Sequence, residues 1–264
     1  MSVLSYLNQK ANEAVLAEKE KESINISIST LQKRFYNFLK REMIGIKNHF
    51  MFGSYTRGTI LPRYMDENSD IDYMIIFNDT SYKPQTYINW LKKFVENYYP
   101  TSEIFQSSPA IVLELNHIKF DLVPANIKEG LFFEELYIPN NSGGWQITNP
   151  TRFNAELTEK NRNNSNLIKP AIRLVKYWNA ENDYIFESFQ LEKAIVNHSF
   201  FPLFVNYNLK IYFFEIIKSL YNYNLSDTNK KKVSRAIVIV KEIETCERRK
   251  DYDKAEDYIK RLIP

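Results

Sequence analysis

The hydrophobic period of the chain changes at Asn149-Pro150, and this change constrains the fold more than any other feature of the sequence. Before it come short apolar runs bounded by turn residues. Asp72-Tyr73-Met74-Ile75-Ile76-Phe77, ended by Asn78-Asp79, predicts a buried strand. Residues 110–115 and 118–123 flank Asn116-His117 and predict a hairpin in which Asn116 takes positive φ. Two helices belong to the same half. Residues 24–43 place Ile24, Ile28, Leu31, Phe35, Phe38 and Leu39 three and four apart, and Pro84 suits the first turn of a helix reaching about residue 98. After Pro150 the period is helical over residues 151–162, 167–182, 187–198, 202–222, 227–248 and 251–262. The chain carries no internal repeat. An α+β fold is expected, with a small mixed sheet set against a helical lobe. Gly143-Gly144 marks the expected boundary, giving lobes 1–144 and 145–264 with a ligand cleft between them.

Composition narrows the chemistry. The chain has 264 residues and a net charge of +3, so the clusters Lys230-Lys231-Lys232 and Arg248-Arg249-Lys250 read as solvated helix surface, and no stable nucleic-acid partner is expected. Cys246 is the single cysteine, which excludes an intramolecular disulfide and a CxxC zinc site and points to a reducing cytoplasm. Charges from Lys10 onward replace the apolar core of a secretory signal. The most apolar stretch, residues 200–209, is too short for the ~20 residues a bilayer span needs, so no membrane association is expected. His49, His117 and His198 have no metal-ligating spacing, and a GxSxG nucleophile elbow is absent.

The informative segment is Phe52-Gly53-Ser54-Tyr55-Thr56-Arg57-Gly58-Thr59. Its two glycines share the spacing of a Walker A loop, but Thr59 stands where that motif requires Lys, which excludes a P-loop NTPase. Gly53 and Ser54 instead suit a turn whose backbone N–H groups and hydroxyl donate to phosphate oxygens. Asp70 and Asp72 are two apart at the start of a strand, so both project from one face and need positive charge between them. Asp121 lies between Phe120 and Leu122, where an acid is costly to bury unless it faces a shared cation site. Three carboxylates suit two Mg²⁺ ions, with Mn²⁺ as a substitute, of the kind that align an in-line phosphoryl displacement.

In this order and spacing, Gly53-Ser54, Arg57-Gly58-Thr59, Asp70-Ile71-Asp72 and Asp121 resemble the signature of the DNA polymerase β-like nucleotidyltransferase superfamily. Phe120 to Ala125, Thr148-Asn149-Pro150, Arg173 to Trp178 and Glu187 to Glu192 are similar to the branch of 2′,5′-oligoadenylate synthases, cyclic GMP-AMP synthases and bacterial CD-NTases. The resemblance implies a polymerase β-like catalytic core, with mixed sheet and helices, packed against a helical C-terminal nucleotide-binding lobe. It implies Asp70, Asp72 and Asp121 as catalytic metal ligands, with Asp121 nearest the attacking hydroxyl. It also implies Gly53 and Ser54 on the β- and γ-phosphates, Lys176 and Ser188 on the same triphosphate, and Phe189 stacked on a base. The implied activity is synthesis of a cyclic or short linear oligonucleotide messenger from NTPs in bacterial antiphage defence, with a downstream effector that senses the product. Two other readings stay open: transfer of one nucleotide onto a protein, tRNA or antibiotic, and a non-catalytic nucleotide-binding regulator.

Overall fold

The computed structural model describes residues 1–129, 134–200 and 207–264. In its first part the elements run α1 (Val3–Glu13), α2 (Glu18–Glu42), β1 (Ile46–Phe52), α3 (Gly53–Arg57), β2 (Asp70–Phe77), α4 (Pro84–Tyr98), β3 (Glu103–Ser107), β4 (Ala110–Glu114), β5 (Lys119–Glu129), β6 (Glu134–Pro139) and β7 (Trp145–Thr148). Helices come next: α5 (Pro150–Asn163), α6 (Ile168–Ala180), α7 (Ser188–Asn197), α8 (Leu209–Ser219), α9 (Asp227–Arg248) and α10 (Tyr252–Leu262). Residues 202–206 of the helix expected at 202–222 lie outside the described residues; the rest of that span holds α8 and a 3₁₀ turn, Leu220–Asn222.

The chain divides into two compact units, one of residues 16–63 and 67–155, the other of residues 1–15, 64–66 and 156–264. The first is built on a mixed sheet in the order β1-β2-β5-β4-β3, with β6 and β7 added beside β5. Among the described residues only the β2–β5 pair is parallel; the other pairs are antiparallel. A parallel pair needs a crossover, which α4 and the β3–β4 hairpin supply.

Strand β2 is apolar on both faces because both are covered. Ile71, Tyr73, Ile75 and Phe77 enter one core with the α2 stripe, with Tyr87, Ile88, Leu91, Phe94 and Val95 of α4, and with Phe120 and Leu122 of β5. Met74 and Ile76 face the other way and pack with Ala125. Asp70 and Asp72 therefore lie on the face opposite α2 and α4. In β5, Asp121 alternates with Phe120 and Leu122 and shares the face of Ala125. An aromatic contact joins the two helices to each other: Phe94 is fully buried, with its ring centroid 5.0 Å from Phe35 and 5.5 Å from Phe38. Phe94→Ala should cost about 3–5 kcal/mol, checked by urea unfolding.

The hairpin turn departs from its expected geometry. Leu115 N–H donates to Ile118 O at 2.9 Å, and Asn116 is not among the residues with positive φ. The turn closes without the left-handed residue that the Asn-His pair suggested. Gly143 and Gly144 occupy the β6–β7 turn, where Asn140 N–H donates to Gly144 O at 2.9 Å.

The second unit is helical. Helix α1 packs on α6, α8 and α10, while α9 and α10 lie side by side. Trp178, Tyr212 and Phe213 are its largest fully buried side chains, and Tyr6 Oη donates to Ile263 O at 2.9 Å, fastening α1 to the end of the chain. Among the described residues no helix is long and apolar enough to cross a membrane.

Candidate active site

Strand β1 delivers the Gly-Ser turn to the acids. Its last residue, Phe52, is the register partner of Asp72, so the next residue, Gly53, meets the Asp72 side chain. A Cβ on Gly53 would lie 1.7 Å from Asp72 Oδ2, and the backbone there has φ +72°. Glycine is required on two separate grounds, contact and conformation. Ser54 comes next, 8% exposed, and its carbonyl accepts from Thr59 N–H at 3.0 Å and Ile60 N–H at 3.1 Å. The turn is thereby pinned against the mouth of β2.

The parallel register pairs Asp72 with Asp121 and Asp70 with Lys119. Directly paired residues of one sheet project to the same side, so the three acids line one patch although Asp121 is far from the other two in sequence. Asp121 Oδ1 is buried and has no hydrogen-bond partner. Burial, reinforced by the charge of Asp70, pushes the Asp121 carboxyl up to about 7, while Lys119 acts in the opposite sense and Glu114 adds to the rise. Lys119 Nζ lies 4.0 Å from Asp70 Oδ2. Among the described residues no group of three or more His, Cys, Asp or Glu side chains is drawn together into a metal-binding cluster. The acids are aligned by backbone register. An orphaned carboxylate oxygen with two further carboxylates on the same face is an all-oxygen anionic donor set, which fits a hard divalent cation.

The remaining predicted residues belong to the helical unit. Lys176 on α6 is 6% exposed and stands 3.5 Å from Oε1 of the fully buried Glu192 on α7. Ser188 and Phe189 occupy the first turn of α7; both are exposed, Phe189 by 47%, so its ring is not a core aromatic. Sequence reasoning did not single out Arg173 or Lys119. Arg173, one turn before Lys176, is half-buried, its Nη2 donates to Ala11 O of α1 at 3.4 Å, and burial lowers its pKa. The i, i+3 spacing was the available signal. For Lys119 it was the i, i+2 spacing to Asp121 within a strand.

The profile of the Second Messenger Oligonucleotide or Dinucleotide Synthetase domain matches residues 1–161. A probable cyclic nucleotide synthase of Bacillus cereus strain VD146 is 26% identical over 250 residues, covering 78% of this chain and 72% of that protein. Solved structures similar in fold include the following two. Escherichia coli MS115-1 CdnC, solved with ATP, has a TM-score of 0.70 at 14% identity, covering 100% of this chain and 97% of that one. Vibrio cholerae DncV has a TM-score of 0.68 at 12% identity, covering 89% and 86%. With its Gly-Ser turn against a register-aligned acid patch, and with a family match over more than half its length, the chain belongs to the second messenger oligonucleotide or dinucleotide synthetase domain family, nucleotidyltransferases that make cyclic oligonucleotide messengers.

Proposed function

We propose that the protein is a Mg²⁺-dependent enzyme that joins NTPs into a cyclic or short linear oligonucleotide, releasing pyrophosphate, and that the product serves bacterial antiphage defence through an effector that senses it. The observation that carries this reading is the buried, unpartnered Oδ1 of Asp121 in register with Asp72. Asp70, Asp72 and Asp121 would hold two Mg²⁺ ions, for which Mn²⁺ can substitute. When bound, such ions supply the positive charge that lowers the pKa of an acceptor hydroxyl and stabilises the departing pyrophosphate.

The chain's own groups do the rest. Asp121, the acid nearest the acceptor hydroxyl in this reading, takes its proton as the hydroxyl oxygen bonds to the α-phosphorus and the bond to the bridging oxygen breaks. Gly53 and Ser54 hold the β- and γ-phosphates through backbone N–H groups and the Ser54 hydroxyl. Lys176 and Ser188 contribute further triphosphate contacts, and the exposed Phe189 ring offers a stacking surface for a base. In this reading residues 1–144 carry the chemistry and the Gly53-Ser54 phosphate contacts, and residues 145–264 the further nucleotide contacts. The expected compartment is the cytoplasm.

Purified protein given labelled NTPs and Mg²⁺ should form a product whose phosphodiester linkages resist phosphatase and whose mass is a sum of nucleotide monophosphate residues, with a 5′-triphosphate in addition if it is linear, and none should form in EDTA. Incorporation of label into an added protein, tRNA or antibiotic, with NTPs otherwise unconsumed, would instead identify a mononucleotide transferase built on the same acids.

A further inference from the structure

Lys119 stands within the acid patch itself. It is the register partner of Asp70 across β2–β5 and of Glu114 across β4–β5. Two residues before Asp121 on the same strand, it projects from the same face as that acid. Glu114 is engaged by Arg63, whose Nη1 lies 2.7 Å from Glu114 Oε1. The Lys119 ammonium turns to the other side, 4.0 Å from Asp70 Oδ2, with the lysine side chain 15% exposed. A row of alternating charge, Asp70, Lys119, Glu114 and Arg63, therefore runs beside the row of Asp72 and Asp121. A stem so largely buried holds its charge close to the carboxylates.

We propose that Lys119 is a positioning residue, a resident counter-cation of the acid patch. It balances Asp70 and its neighbours in the metal-free protein, and its charge opposes any divalent ion that enters. The bare protein then binds divalent cations weakly, and the negative charge of an incoming triphosphate is needed for firm occupancy. This inference rests on the reading that Asp70, Asp72 and Asp121 hold divalent cations. Repulsion over a few ångströms in a partly buried setting is ample for a large change in affinity, and salt weakens it.

The test is Mn²⁺ binding to nucleotide-free protein, read from the electron paramagnetic resonance signal of unbound Mn²⁺, with a thermal melt to verify folding. Lys119→Met should bind Mn²⁺ on the order of tenfold tighter than wild type, and Lys119→Arg about as wild type does. The gain should shrink at high salt. Lys119→Gln, which keeps a polar head group without the charge, is the second variant should Lys119→Met fail to fold. Unchanged or weaker Mn²⁺ binding in the folded neutral variants overturns the proposal. Asp121→Asn separates the two readings. If wild type binds Mn²⁺, Asp121→Asn loses it and Lys119→Met matches wild type, only the role of Lys119 falls. If neither wild type nor the folded neutral variants bind Mn²⁺, or Asp121→Asn binds as well as wild type, the metal site falls, and the Lys119 proposal with it.

Discussion

Asp121→Asn is expected to reduce nucleotidyl transfer by at least about a thousandfold while leaving the protein as stable as the parent or more so. The two effects separate because the carboxylate is costly where it sits. Its Oδ1 is buried without a hydrogen bond, and desolvation, with Asp70 nearby, raises its pKa to about 7. An unfolded aspartate titrates near 4, so between about pH 4 and 7 the folded state binds the extra proton. Stability contributed by this group is therefore fully present below the unfolded pKa and is lost as pH rises through the folded one. In EDTA the wild type should lose on the order of a few kcal/mol between pH 4 and pH 8 from this source, and Asp121→Asn should flatten that slope. Urea unfolding at several pH values, beside the product assay, checks both halves. A variant that is inactive because it is unfolded would contradict the assignment.

Gly53→Ala should be the most damaging single-methyl change in the strand-rich unit. At φ +72° a side chain alone costs about 1–2 kcal/mol, and the added carbon would sit 1.7 Å from Asp72 Oδ2. Either the turn lifts away or Asp72 turns aside, and both break the alignment of turn and acid. A fall in turnover of roughly a hundredfold or more is expected. Gly58→Ala is the matched control, since Gly58 has φ +70° but a Cβ added there would meet nothing within 4 Å. It should cost only the backbone term, about 1 kcal/mol, and keep most of the activity. Steady-state rates and melting temperatures of the two variants, measured together, distinguish loss of geometry from loss of stability.

Much of the architecture was legible because burial wrote itself into spacing. The α2 stripe, the Pro84 helix, the β2 run and the helices after Pro150 each follow from one buried face or two. The acids were legible for the opposite reason, as charged residues where the pattern asks for apolar ones. Helix α1 escaped because charges from Lys10 onward break its short apolar stripe, and the strands that escaped lie at edges. Strand β1 ends the sheet, and its Lys47 and Asn48 are exposed, so Ile46–Phe52 shows no clean alternation. Strands β6 and β7 are mostly half-buried or exposed and have equally weak patterns. Lys119 escaped because a lysine near a turn reads as solvated, and only the pairing of β5 with both β2 and β4 reveals its charged neighbours. The depth of Lys176, beside Glu192, likewise depends on how α6 and α7 meet.

The strand that bears Asp121 also sets what kinds of change the protein tolerates. Along β5 the acid has a core aromatic on one side and a core leucine on the other, so a slip of one residue against β2 would send the carboxylate toward the helices and an apolar side chain into its place. Lengthening or shortening the chain is therefore far more dangerous here than exchanging one residue for another. Variation in length among relatives should gather in the turn between β4 and β5, where the register can be reset before Lys119, and should avoid the stretch from Lys119 through Ala125.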